Sequence, residues 1–188
     1  MKVTVEKPKI ITLLYRQENT DEDYGSCLWA RFYLDLENFT MAIESDCGNY
    51  SYGWPPTPKT EPFLHLLNRM GKDYLLNKIA SLSVVDGDAT WENVEEYIQE
   101  AAAYEGVFLT RTEWYDLRAA CYIGDDVRDV MEAIEDALPS ELFEELDYSY
   151  VWGLVEQDFS TQAKRIVSIF DSYIRPKIKD LMEEESHG

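Results

Sequence analysis

Residues 27–54, CLWARFYLDLENFTMAIESDCGNYSYGW, decide the fold. Leu28, Ala30, Phe32, Leu34 and Leu36 alternate with Trp29, Arg31, Tyr33 and Asp35, the period of a half-buried strand. Glu37-Asn38 makes a short turn, after which Phe39, Met41 and Ile43 resume the alternation on a second strand. Asp46-Cys47-Gly48-Asn49 then supplies residues that tolerate positive φ, so the chain turns again and Tyr50, Tyr52 and Trp54 alternate on a returning strand. An aromatic row on one face of a sheet needs a cover, and Pro55, Pro56 and Pro58 end the strand just before helical sequence begins. Upstream, Ile10 to Tyr15 is apolar and β-branched enough for one more strand, followed by the polar loop QENTDEDYGS.

From Thr60 onward the period is helical. Thr60 is placed to cap EPFLHLLNRMGKDYLLNKIASL, broken near Gly71, and Thr90 to cap WENVEEYIQEAAAY, whose apolar stripe is Trp91, Val94, Ile98 and Ala101. Thr110 with Glu113 fits a capping box for a helix ending near Tyr122, and Asp125 begins another in which Val127, Val130, Met131, Ile134 and Leu138 face inward. Ser140 restarts the pattern after Pro139. Ser160 opens a last helix with Ala163, Ile166, Val167, Phe170 and Ile174 on its buried side. The pattern predicts an α+β protein, an N-terminal antiparallel β-sheet of about four strands followed by a mostly helical C-terminal part. The expected division is 1–85 for the hairpin sheet plus helix and 86–188 for the acidic helical region, the two forming either one domain or two that touch.

Composition narrows the function. The chain has 188 residues, 45% of them hydrophobic, with five Trp, thirteen Tyr and seven Phe, which is too aromatic for an acidic disordered segment. Its net charge is −20, and the excess is concentrated. Residues 1–85 carry 11 acids and nine bases, residues 86–158 carry 21 acids against Arg111, Arg118 and Arg128, and residues 159–188 carry five of each. No apolar run approaches the ~18 residues of a bilayer span, and an acidic surface is repelled by anionic headgroups. MKVTVEKPKI lacks the apolar core of a signal peptide, and Cys27, Cys47 and Cys121 show no close pairing. This reading expects free thiols, no membrane association and the host-cell cytosol.

Motifs for chemistry are sparse. His65 and His187 have no cysteines at ligand spacing, so neither metal nor cofactor is expected. Cys121 or Cys27 could meet His65 as a thiolate pair, against the plainer reading of a small buried hydrophobe. NTDEDYG fails as a calcium loop because glycine falls one place late, at Gly25, and Ala30 stands where a bidentate Glu is required. Nucleotide-binding and hydrolase fingerprints are missing.

The acidic block is therefore the candidate site. Glu92, Glu95, Glu96 and Glu100 lie opposite the apolar stripe of one helix, at spacings of three and four residues that repeat about every 6 Å. Asp125, Asp126, Asp129, Glu132, Glu135 and Asp136, then Glu144 and Glu145, continue the series, with Arg128 the nearby base. Rows of carboxylates with almost no interleaved lysine resemble the charge pattern of nucleic acid. Such a protein binds not nucleic acid but a protein that binds it, steered by charge and held in register by aromatic contacts. The plainer alternative is a solvated acidic surface.

The hairpin SDCGNYSYGW, followed by FLHLL and DYLLNKI, resembles small uncharacterised proteins of bacteriophages and prophages over roughly residues 10–80. That resemblance implies a phage origin. Phage genomes carry short acidic proteins that disable host nucleic-acid machinery, and several anti-CRISPR proteins and restriction inhibitors are DNA mimics. The reading that follows is a phage-type inhibitor, anti-CRISPR-like, that blocks a host nucleic-acid-binding protein such as a Cas effector; self-association is compatible with it. The alternatives are a small cytosolic enzyme of unknown reaction and an adaptor using Trp29, Tyr50, Tyr52 or Trp54.

Overall fold

The computed structural model of the chain describes residues 3–5, 7–21, 23–56, 61–143 and 152–187. The chain forms two compact units, residues 1–81 with 161–188 and residues 82–160. Each has its own buried apolar cluster.

In the first unit, β1 (Ile10–Arg16), β2 (Trp29–Asp35), β3 (Thr40–Ser45) and β4 (Tyr50–Gly53) form an antiparallel sheet in the order β1-β2-β3-β4. Phe32 stands opposite both Leu13 and Ile43, and Leu34 opposite Met41. Directly opposed residues share a face, so this register gathers Phe32, Leu34, Met41 and Ile43 on one buried side. Tyr50 and Tyr52 oppose Ile43 and Met41 and lie on that same side. The aromatic row finds its cover in α1 (Phe63–Arg69) and α2 (Lys72–Ile79), separated at Met70-Gly71. Trp54 packs 4.8 Å from Tyr52 and 5.7 Å from Phe63, and its Nε1–H donates to Tyr74 Oη at 3.1 Å. Tyr50, Tyr52 and Trp54 are thus core or its margin. Of the residues named for the adaptor alternative, Trp29 alone lies off this face, and it is half-buried.

The last helices complete that core. α7 (Thr161–Ile169) runs through a π-helical turn (Phe170–Ile174) into α8 (Arg175–His187). Phe170 meets Phe32 at 6.1 Å and Tyr173 meets Tyr15 at 5.0 Å. Arg175 donates to Asn68 O at 2.6 Å and to Asp171 at 2.9 Å, and Lys72, 3.1 Å from Asp171, holds that carboxyl below its ordinary range. Residues 161–187 therefore belong with the sheet and not with the acidic helices. The physical reason is the stripe of Ile166, Val167, Phe170, Ile174 and Ile178, which is buried in the sheet's apolar cluster.

The second unit is an insertion. β5 (Val84–Val85) pairs with β6 (Gln157–Asp158) where the chain enters and leaves it, and Ser83 N–H donates to Asp158 O at 2.9 Å. Between them stand α3 (Gly87–Glu105), α4 (Arg111–Ala120), α5 (Val127–Ala137), α6 (Ser140–Phe143) and a 3-10 turn (Trp152–Leu154). Val94, Ile98, Leu117, Val130, Met131 and Ile134 form the centre of its core.

Helix α3 begins earlier than its expected Thr90 cap. Asp86 accepts the Ala89 N–H at 3.1 Å instead, while the buried Thr90 hydroxyl accepts Glu156 N–H at 3.0 Å and so ties the helix to the returning chain. The Thr110–Glu113 capping box is present as the sequence predicts. The expected cap Thr60 lies outside the described residues, and α1 starts after Pro62.

Candidate functional site

The amphipathic period of α3 turns Val94, Ile98 and Ala102 inward and leaves Glu92, Glu96 and Glu100 exposed. These three sit one turn apart on a continuous face, about 6 Å from one to the next. Glu95 is half-buried at the margin of that face. At α5, Asp125, Asp126, Asp129, Glu132 and Asp136 are exposed and Glu135 is half-buried. Glu144 and Glu145 lie outside the described residues. Both helices thus turn their carboxylates away from the core they share.

Some of these acids also build the helices. Asp126 accepts the Arg128 backbone N–H at 2.8 Å as the N-cap of α5. Glu113 closes its capping box on the Thr110 N–H, and that hydrogen bond holds its carboxyl below the ordinary range. Glu135 moves the other way. Burial first, and then the neighbouring charges of Glu132 and Asp136, push its carboxyl up.

Arg118 lies over the Trp91 ring, 5.8 Å from its centroid. Among the described residues, none of Arg111, Arg118 and Arg128 forms an ion pair with a carboxylate.

Aromatic exposure in this unit is a feature the sequence reading did not single out. Phe108, Tyr104 and Tyr115 are 92%, 89% and 72% exposed. Between α3 and α4, Val107 and Leu109 pack on the core of this unit and Phe108 between them is exposed. These three large aromatics fall within twelve residues of sequence, and each is exposed singly, the residue type that anchors protein interfaces.

The cysteines depart from the expected free thiols. Cys27 and Cys47, with Cα atoms 5.7 Å apart, form a disulfide, and Cys121 is free and buried. Pairing arises because the register sets Ala30 beside Ser45, bringing the start of β2 to the β3–β4 turn. The bond removes cysteine usage as an argument for a reducing compartment. Asp46 joins the pair in a cluster whose potential ligand atoms lie within 4.8 Å of one another, but sulfurs bonded to each other offer no thiolates to a metal. Burial pushes the Cys121 thiol up to about 11, and its Sγ–H donates to Leu117 O at 3.4 Å. The expected alternative of a Cys–His pair is not formed by Cys27, which is bonded to Cys47, nor by a thiol held so far from ionisation.

No helix among the described residues is long and apolar enough to cross a membrane. Residues 1–180 match the sequence model of a protein family described as a phage family. No curated protein and no solved structure matches.

Proposed function

The chain belongs to this phage family, Phage_phiTE_072, and from that premise we propose that it is an inhibitor that occupies the basic nucleic-acid-binding surface of a host protein, such as a Cas effector. The observation that carries this reading is the segregation of charge: residues 82–160 hold 21 acids against three arginines. A basic groove evolved for phosphates attracts such a surface over about a Debye length, ~8 Å at physiological salt, and loses that attraction as salt rises. Glu92, Glu96 and Glu100 on α3 and Asp129, Glu132 and Asp136 on α5 supply the charge. Phe108, Tyr104 and Tyr115 supply desolvated anchors that fix the register, since charge alone sets approach more than residence. The block is stoichiometric, and the acidic unit itself binds no nucleic acid.

The test is co-expression with a panel of CRISPR and restriction systems, scoring restored plasmid survival, followed by binding of the purified pair. Inhibition of one system, with affinity falling at least about tenfold between 50 and 500 mM salt, is expected. The quadruple variant E92K/E96K/D129K/E132K changes exposed positions that cap no helix, and is expected to bind about a hundredfold more weakly. Undiminished inhibition by that variant, with its helices verified by hydrogen exchange, would overturn the proposal.

A further inference from the structure

The face of the sheet turned away from the core carries its own pattern. The register that buries Phe32 and Ile43 on one side sets Arg16 opposite Trp29, and Leu14 opposite Arg31, on the other. Arg16 and Arg31 are therefore diagonal neighbours, about 7–8 Å apart. The loop that follows β1 closes this corner. Leu14, Arg16, Tyr24, Leu28, Trp29 and Arg31, together with Gln17, line a cavity of about 420 Å³ there.

Its walls are fixed from several sides. Gln17 Nε2 donates to the Asp23 carbonyl at 2.8 Å and Gly25 N–H donates to Gln17 Oε1 at 2.8 Å, which folds the loop that carries Tyr24. Asp46 accepts the Leu28 and Trp29 N–H groups at 3.0 and 3.2 Å and pins the start of β2. Arg31 Nη1 donates to Tyr33 Oη at 3.2 Å and lies 3.5 Å from Glu44. These contacts use one nitrogen of a planar group that has five N–H donors. Arg16 is exposed and, among the described residues, enters no ion pair, although the chain has 37 acids to offer.

The lining itself selects the ligand. Its charged members are the two arginines, and among the described residues no carboxylate lines it, so it takes an anion. Two guanidinium forks at diagonal positions suit the several oxygens of a phosphate. Trp29, with Tyr24 and Leu28 beside it, offers the flat apolar surface on which a planar ring stacks. We infer that this corner binds a mononucleotide, its phosphate between Arg16 and Arg31 and its base against Trp29. Stacking of this kind accepts any base. The acids flanking the cavity are Glu44, beyond Arg31, and Asp23, next to Tyr24 and paired with Arg165. Further phosphates of a strand would run into them, which restricts the occupant to a single nucleotide. The cavity belongs to the sheet unit, so the inference is independent of what the acidic helices bind.

The full chain, with its tryptophan indoles labelled for NMR and the Trp29 signal assigned from Trp29→Phe, is the reporter. The probes are the common nucleoside 5′-monophosphates, adenosine, inorganic phosphate and a thymidine tetranucleotide. The monophosphates should shift the Trp29 indole N–H signal, with adenosine and inorganic phosphate each at least about tenfold weaker because each supplies half of the contacts. Arg16→Ala removes a guanidinium with no ion-pair partner in the fold, so it should weaken the monophosphates about tenfold and leave adenosine unchanged. Arg111→Ala, in the other unit, should alter neither. A Trp29 signal that no monophosphate moves would overturn the inference, as would inorganic phosphate binding as tightly as the nucleotides or an Arg16→Ala variant that binds them undiminished. So would a tetranucleotide bound more than about tenfold more tightly than the monophosphates, since a strand and not a single nucleotide would then be the ligand.

Discussion

The sheet unit carries 16 acids against 14 bases, and pairs many of them: Arg31 with Glu44, Glu61 with Arg69, Asp23 with Arg165, and Asp171 with both Lys72 and Arg175. The inserted helical unit carries 21 acids against three bases and leaves those bases out of ion pairs among the described residues. Both nevertheless bury a continuous apolar cluster. Exposed ion pairs contribute about 0–1 kcal/mol each, so the balanced charges of the first unit are not what folds it. Like charges at helical spacing cost only a few tenths of a kcal/mol per pair, so the second unit tolerates its excess. The comparison teaches that the acidic surface is compatible with this fold without being demanded by it.

If the units are separately cored, a deletion in one core should leave the other intact. Phe170 is fully buried and meets Phe32, so Phe170→Ala should cost the sheet unit about 3–5 kcal/mol. Hydrogen exchange should then accelerate across β1–β3 while α3 and α5 keep their protection. Equal loss in both units would break the comparison and make the chain one cooperative block.

The converse change sits at Gly87. A Cβ there would lie 2.6 Å from Tyr122 Cδ1 and 3.0 Å from the Cys121 carbonyl oxygen, and the carbonyl has no rotamer by which to retreat. Gly87→Ala should therefore destabilise the helical unit by about 1–3 kcal/mol with the sheet unaffected, read by the same exchange experiment.

Salt sharpens the contrast without a mutation. Raising NaCl from 50 to 500 mM screens repulsion among the carboxylates of α3 and α5 and should stabilise the helical unit by about 1 kcal/mol, while weakening the sheet unit's exposed ion pairs slightly. Equal responses of the two units would show that the carboxylates do not feel one another.

Much of this architecture was legible. The alternation from Leu28 to Leu36 and the turn around Gly48, where φ is +108°, place three strands and their buried faces. The turn after Asp35 was legible only in outline: Asp35 Oδ1 accepts the N–H groups of Glu37 and Asn38, and Phe39 takes a positive φ of 53° that no pattern rule assigns to phenylalanine. Periodicity also shows that a stripe is buried without showing against what, so the return of residues 161–187 to the sheet was hidden. The Cys27–Cys47 bond was hidden for a related reason, being 20 residues apart in sequence and neighbours only through the sheet. In the candidate site, the exposure of Glu92, Glu96 and Glu100 follows from helical period alone. That Asp126 also caps a helix needed the observed helix start, and the exposure of Phe108 needed the observed packing of Val107 and Leu109 on either side of it.

The smallest effect bears on a single carboxyl. Glu135 is half-buried between the charges of Glu132 and Asp136, and its pKa is raised in the folded state, by burial first and by those neighbours next. Below the ordinary glutamate pKa of about 4.3 the group is neutral whether folded or not, and adds no penalty. As pH rises through the elevated folded value it ionises against burial and like charge, so its contribution to stability is lost on the alkaline side. Glu135→Gln should remove that pH-dependent loss and leave the helical unit about 0.3 kcal/mol more stable at pH 7, the magnitude of a like-charge helical pair, and unchanged near pH 4. Exchange protection of α5 measured at both pH values, with intrinsic rates divided out, separates this from a simple gain in helix propensity, which would appear equally at each. A gain at pH 7 that persists undiminished at pH 4 would mean that the crowd of carboxylates exerts no measurable repulsion where it is densest, and the contrast between the two units would reduce to composition.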